Sequence, residues 1–294
     1  MREESSPRPA TARFRARLVE FLVRLLAGIG VGVVTYWMVG HPQFMRGWLF
    51  LTALIIVAAV IFLVMRRPLF ARFLLGLAVP ICVVTAIFWA AGRPQFWQSE
   101  IAAYEKADQA NPPARGVIVF AGGSSIRKWK TLNDDMKPLE VINRGCGGCE
   151  LAHVNYYARR IVTPYRPRAV VVYAGDNDLS DPPWKSPQTV LNEFIQFVAL
   201  IHGELPDTRI FYVSMKPAPW GDWRLMDQTN RMIAAYSRTQ KRVQFIDVSG
   251  AMLDSQGALR RELYDWDPMH MNASGYALWT AIIKPVLMEQ VGTR

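Results

Sequence analysis

The apolar and polar positions divide the chain into two unlike parts. Three long apolar runs occupy its beginning, at about 18–39, 48–65 and 73–91. Each approaches the roughly 20 apolar residues that a helix needs to cross a bilayer. Buried core helices would carry a polar face, which these runs lack. A cleavable signal peptide would end in a small-residue cleavage site, yet the first run has no clear one and two more runs follow it. Glu20 and Arg24 near the start of the first run are costly in hydrocarbon unless they lie at the interface. Beyond Gly92 the pattern changes to short β-branched runs: Gly116–Phe120, Glu140–Asn143, Ala169–Tyr173, Arg209–Ser214 and Val243–Asp247. Helical patterns lie between and after them, near 150–161, 187–202, 226–239 and 274–289. Continuous apolar strands alternating with helices predict a parallel sheet covered on both faces. The expected fold class is therefore α/β, a three-layer doubly wound parallel sheet of about five strands, preceded by an α-helical membrane region. The expected organisation is a basic tail over 1–17, three spans within 18–92 and one catalytic-size domain over 93–294.

Charge changes this picture by giving it a direction. Ten arginines against three glutamates within residues 1–72 carry +7 of the net +10. A nucleic-acid binder would place its basic patch on the folded domain, so no nucleic-acid partner is expected. Arg2, Arg8, Arg13, Arg15 and Arg17 precede the first run, and Arg66, Arg67 and Arg72 separate the second from the third. Only Arg46 lies between the first and second. Basic loops stay cytoplasmic, so the N-terminus should be cytoplasmic and three spans should deliver the later domain to the far side, periplasmic or extracellular. Two spans, with the first run lying on the surface, would return it to the cytoplasm.

In a doubly wound sheet, chemistry gathers at the carboxyl ends of the strands. After the first strand comes Ala121-Gly122-Gly123-Ser124-Ser125-Ile126-Arg127, where a serine at a sharp turn is either a helix cap or a nucleophile. After the second comes Asn143-Arg144-Gly145-Cys146-Gly147-Gly148-Cys149, whose glycines let backbone N–H groups approach a ligand. After the third comes Gly175-Asp176-Asn177-Asp178; Asn177 either makes a turn or donates to developing negative charge. Near the C-terminus, Asp267 stands three residues before His270, followed by Asn272, Gly275 and Tyr276. A carboxylate so spaced can hold Nδ1–H and leave Nε2 free as a base. Of the other histidines, His41 lies between apolar runs, His202 ends a helix far from the strand ends, and His153 is the rival base.

Together, in order and position, these four segments resemble the sequence blocks of the SGNH/GDSL hydrolases, over about residues 95–290. The likeness is to a bacterial subgroup similar to platelet-activating-factor acetylhydrolase-like esterases. The resemblance implies Ser124 as nucleophile, with Ser125 as fallback, and His270 as general base then acid. It implies Asp267 as orienter in preference to Asp265, and an oxyanion hole of the Ser124 and Gly148 backbone N–H groups and the Asn177 side chain. Gly123 occupies the position where the family usually has an acidic residue; that residue is not catalytic. The implied chemistry is ester hydrolysis through an acyl-enzyme, with no cofactor and no metal; the Cys pair lacks further ligands for zinc.

Cys146 and Cys149 would close a small disulfide in an oxidising compartment and stiffen the oxyanion loop, or remain two buried thiols. Trp184, Trp220 and Trp223 should lie near the active face, as an acyl or sugar pocket or as interfacial anchors. The expected substrate is an acyl ester, short-chain and acetyl above all, on envelope glycans or lipids. Two alternatives remain open on sequence: an O-acyltransferase of the same fold acting on a sugar, and an inactive membrane-tethered glycan-binding module.

Overall fold

The computed structural model describes residues 93–180, 185–219, 222–267 and 269–292. The chain divides into two units at Gly92/Arg93, and the described residues belong to the second. The three apolar runs, with the topology inferred from them, lie outside the described residues, as do Trp184 and Trp220. Among the described residues, no helix is long and apolar enough to cross a membrane.

The second unit is a five-stranded parallel sheet with helices on both faces. A 3-10 turn at Pro94–Trp97 leads into α1 (Gln98–Ala110). β1 (Ile118–Gly122) is followed by two one-turn helices, α2 (Ser124–Arg127) and α3 (Leu132–Asp135). Then come β2 (Val141–Gly145), α4 (Leu151–Ile161), β3 (Ala169–Tyr173) and α5 (Pro187–Glu204). The chain ends with β4 (Arg209–Val213), α6 (Trp223–Thr239), β5 (Val243–Ile246) and α7 (Ala273–Val291). The strand order is β2-β1-β3-β4-β5, and every pairing is parallel. The order reverses between β1 and β3, and such a switch point opens a crevice at the carboxyl ends of the two strands.

The period of two along each strand explains both faces. Val119, Ala121, Val170, Val172, Ile210 and Tyr212 pack with buried residues of α1, α4, α5 and α6. Ile118, Phe120, Val171, Tyr173, Phe211 and Val213 face the other way, against Ile126, Trp129, Leu132 and the α7 residues Tyr276, Trp279, Ile283 and Leu287. The central strands β1 and β3 are buried on both faces and read as unbroken apolar runs, whereas the edge strands β2 and β5 are partly exposed and carry Asn143, Arg144 and Gln244.

Several element ends and one whole helix differ from the sequence reading. β2 ends two residues later, at Gly145, and α6 starts three residues earlier, at Trp223. β1 runs two residues further, through Ala121 and Gly122, because those residues still pair with β2 on one side and β3 on the other. α1 stands in what reads as a polar stretch. Ile101 is its one buried residue, so it has almost no apolar stripe to announce it.

Candidate active site

Ser124 is presented by a turn that only glycine permits. Gly122 closes β1 at φ +140°, and a Cβ there would lie 1.8 Å from the Tyr173 carbonyl oxygen. The chain therefore crosses the end of β3 in contact with its backbone, and the Gly123 N–H donates to the Tyr173 carbonyl at 2.9 Å. α2 starts at Ser124 immediately afterwards. Asn143, from the second block, ties this turn to β2: its Nδ2 donates to the Ile126 carbonyl at 2.6 Å, while its Oδ1 accepts from the Gly145 N–H at 3.0 Å. The fallback serine, Ser125, is 1 % exposed and turned inward, and its carbonyl accepts from the Tyr276 hydroxyl at 3.0 Å.

The histidine arrives on a stapled loop. Tyr264 and Met271 form an antiparallel bridge, and the Asp265 N–H donates to the His270 carbonyl at 2.9 Å. Asn272 holds the base of the loop, with Nδ2 donating to the carbonyls of Glu262 and Tyr264, each at 2.9 Å. Its Oδ1 caps α7 by accepting from the N–H groups of Ser274 at 2.9 Å and Gly275 at 3.2 Å. Any side chain at Gly275 would press on the Leu263 carbonyl, 2.4 Å from its Cβ. The Asn-x-x-Gly-Tyr part of the fourth block is thus a structural fastener that joins the His270 loop, α7 and the Ser124 turn.

These elements bring three side chains into one chain of hydrogen bonds. His270 Nε2 lies 3.0 Å from Ser124 Oγ. His270 Nδ1 lies 2.8 Å from each Asp267 carboxylate oxygen, and the His270 backbone N–H donates to Oδ1 at 2.9 Å. Lys128 Nζ approaches Asp267 Oδ2 at 3.3 Å. Burial alone would raise the Asp267 pKa, but the His270 hydrogen bonds and charge, with Lys128 behind them, outweigh it and hold the carboxyl below its ordinary value. An ionised Asp267 fixes the His270 tautomer with Nε2 toward Ser124, which lets the imidazole take the hydroxyl proton. Asp265 instead accepts from the Trp266 N–H at 2.9 Å. The rival base, His153, is buried under Trp97 with ring centroids 4.3 Å apart, and its Nδ1 accepts from the Glu150 N–H at 3.1 Å in a capping box. His202 Nε2 pairs with the Thr208 carbonyl at 3.0 Å.

Of the residues expected to donate to an oxyanion, Asn177 lies beside the Ser124 turn. The Asn177 Nδ2 donates to the Cys149 carbonyl at 2.9 Å and lies 3.0 Å from where a Cβ on Gly123 would stand, beside the Ser124 backbone. Gly148 is exposed with φ +77°. Cys146 and Cys149 are joined in a disulfide, with Cα atoms 5.5 Å apart. Asp178, entirely buried, accepts from the Leu151 N–H at 3.1 Å and from Lys185 Nζ at 2.7 Å. Lys185 also pairs with Glu150 and Glu193. This network fastens the third block to the start of α4. Burial pushes the Asp178 carboxyl upward, with Lys185 opposing.

Several neighbours of the site carry little or no signal in the sequence. Lys216, 2 % exposed, has Nζ 3.3 Å from the Tyr173 hydroxyl and 3.5 Å from Oδ2 of Asp176, the residue before Asn177. Asp176 in turn accepts from the Tyr173 hydroxyl at 2.8 Å and from the Asn177 N–H at 3.0 Å. A lysine two residues past an apolar strand carries no local signal of burial. Trp266, 90 % exposed, adjoins Asp267, whereas Trp223 opens α6 and packs partly against the core. An aromatic residue directly beside the Asp-x-x-His pair was the available cue for Trp266. Among the described residues, no group of His, Cys, Asp and Glu could hold a metal ion. A cavity of about 430 Å³ lined by Glu105, Asp108, Arg115, Arg159, Arg160 and Tyr165 contains none of the residues of the four blocks.

A serine hydroxyl, imidazole and carboxylate at the switch point of a parallel sheet define a serine-hydrolase arrangement. The profile of the GDSL-like lipase/acylhydrolase family matches residues 102–278, and the chain belongs to that family, whose members are esterases acting on ester bonds. Solved structures agree in fold. A Streptococcus pneumonia protein provisionally assigned as a platelet activating factor shares 16 % identity over 69 % of this chain and 99 % of its own, with a TM-score of 0.61. A provisionally assigned acylhydrolase from Bacteroides fragilis shares 22 % identity over 64 % and 95 %, at 0.56. A GDSL-like lipase from Bacteroides thetaiotaomicron shares 21 % over 68 % and 98 %, at 0.55. No match is found among curated proteins.

Proposed function

We propose that this acylhydrolase is a serine esterase that works through an acyl-Ser124 intermediate. The observation that carries this reading is the continuous contact from Asp267 through His270 to Ser124 Oγ, at 2.8 Å and 3.0 Å. Ser124 Oγ bonds to the ester carbonyl carbon as His270 Nε2 accepts the hydroxyl proton. The N–H groups of Ser124 and Gly148 and the Asn177 amide hold the resulting oxyanion. The tetrahedral intermediate expels the alcohol, which takes the proton from His270, and leaves acyl-Ser124. Water then repeats the cycle: His270 accepts its proton, hydroxide adds to the acyl carbon, and the proton returns to Ser124 Oγ as the carboxylic acid departs. No step needs a metal or a cofactor.

The location and the substrate belong to the same proposal. Three apolar runs with arginines before the first and between the second and third support an anchor in the plasma membrane with a cytoplasmic N-terminus. The esterase domain then works in the periplasm or outside the cell. The substrate is a short acyl ester, acetyl in the first instance, on an envelope glycan or lipid. The exposed Trp266 beside Asp267 suits a sugar ring or an acyl chain near the scissile bond.

A fluorophosphonate probe applied to wild type and Ser124→Ala tests the nucleophile. Labelling of wild type alone is expected; equal labelling of both would refute the assignment. Protease added outside intact spheroplasts should cut the domain, and full protection would refute the location.

A further inference from the structure

The most exposed part of the proposed oxyanion hole is held in place by a side chain 50 residues away. We infer that Trp97 is a positioning residue for the reaction: its indole N–H, bound to the Gly147 carbonyl, sets the direction of the Gly148 N–H. The inference rests on the proposed role of Gly148 as an oxyanion donor.

The Gly147 carbonyl and the Gly148 N–H belong to one peptide unit. That unit is planar and trans, so the two groups point in opposite directions and fixing one fixes the other. Trp97 Nε1 donates to the Gly147 carbonyl at 2.6 Å. The preceding peptide is held as well, since the Gly147 N–H donates to Glu100 Oε2 at 3.3 Å. Glu100 also pairs with Arg127 at the end of the nucleophile helix α2.

Such a hold is needed because of what the loop is made of. The Cys146–Cys149 disulfide closes the ends of the loop but leaves two consecutive glycines between them. A Gly-Gly peptide can turn over at little steric cost, because neither residue has a Cβ to oppose it. A reversed Gly147–Gly148 peptide would aim a carbonyl oxygen at the developing oxyanion and repel it. Trp97 is well placed to prevent this. Its indole is 5 % exposed and packed on His153. The segment before it is pinned by the Tyr157 hydroxyl, which donates to the Pro94 carbonyl at 2.6 Å. Hydrogen bonding at the carbonyl also polarises the amide and makes its N–H a better donor.

The test measures p-nitrophenyl acetate hydrolysis by the full-length chain in detergent, with Ser124→Ala as the background rate. Trp97→Phe keeps an aromatic ring on His153 and loses the N–H. Its kcat should fall about 5- to 50-fold, a part of the 10²–10³ that removal of an oxyanion donor costs, with KM within twofold. Affinity for an aryl boronic acid, which forms a tetrahedral adduct on the serine, should fall in step with kcat. Tyr157→Phe loosens the segment that carries Trp97 but keeps the indole N–H, and should lower kcat clearly less than Trp97→Phe. Benzothienylalanine at position 97 replaces only N–H by sulfur and should reproduce the Trp97→Phe loss even if that variant folds poorly. Wild-type kcat in either position-97 variant, or an equal loss in Tyr157→Phe, would overturn the inference. A wild-type rate no higher than Ser124→Ala would instead overturn the proposed function, and this inference with it.

Discussion

The side chain of Asn177 reaches across the crevice to the backbone of Cys149, Nδ2 to carbonyl oxygen, at 2.9 Å. One hydrogen bond thereby links the loop after β3 to the disulfide loop after β2, with the Ser124 turn between them. An amide nitrogen has two hydrogens, so the one engaged with Cys149 orients the other. Asn177→Ala removes this donor and should lower kcat about 10²–10³-fold with little change in KM. Asn177→Asp should be no better, because a carboxylate cannot donate and adds repulsion. Steady-state kinetics of both variants checks this, and a pure KM effect would assign Asn177 to ground-state binding.

Asp267→Asn should lower kcat by about 10⁴, the scale seen when the orienting carboxylate of a serine triad is lost. The same residue predicts a pH effect on stability. Its folded-state pKa lies below its unfolded value because His270 and Lys128 outweigh burial. Its contribution is therefore fully present above about pH 4, the ordinary range of an Asp carboxyl, and is lost as pH falls through the lower folded value. Unfolding of wild type and Asp267→Asn between pH 2 and 7 should show a steeper acid limb in wild type.

Removing the disulfide should affect both stability and rate. For so short a loop the chain-entropy account gives about 2 kcal/mol, or a fall of about 4–8 °C in the unfolding midpoint of a domain this size. In the Cys146→Ala/Cys149→Ala double variant, the Cys149 carbonyl should hold Asn177 less firmly and kcat should fall severalfold. Calorimetry together with ester hydrolysis reads both effects; an unchanged midpoint would remove the stabilising role.

Lys216 is expected to be required for folding of the site. Burial pushes its pKa down while Asp176 opposes this, and the lysine is the cation beside Asp176 and Tyr173. Lys216→Met would leave Asp176 without its counter-charge and should cost about 3 kcal/mol. Adding Asp176→Asn should recover much of that loss, because a neutral amide needs no cation. Denaturant unfolding of both single variants and the double variant gives the coupling energy.

Much of the architecture was legible along the chain because both faces of the sheet are covered. Burial on two sides forces unbroken β-branched strands such as Ala169–Tyr173, and the segments after them stand out by their glycines and polar residues. What escaped was held by distant partners. α1 buries only Ile101, so its periodicity is faint, yet it carries Glu100, and Trp97 immediately precedes it. The end of β1 was missed because the pairing of Ala121 and Gly122 depends on two neighbouring strands, not on their own propensities.

The sequence by itself determined the inventory and its order: a pair of serines after the first strand, an amide after the third, an Asp-x-x-His before the last helix. It also determined the short-range fasteners, such as Asn272 capping α7 three residues before Gly275, since these span no more than a turn. Only the tertiary structure decided which atoms meet. Ser124 and His270 are 146 residues apart in sequence and 3.0 Å apart in space, and Trp97 meets Gly147 over a separation of 50. Such contacts follow from parallel strand pairing and two packed faces, which no local pattern encodes.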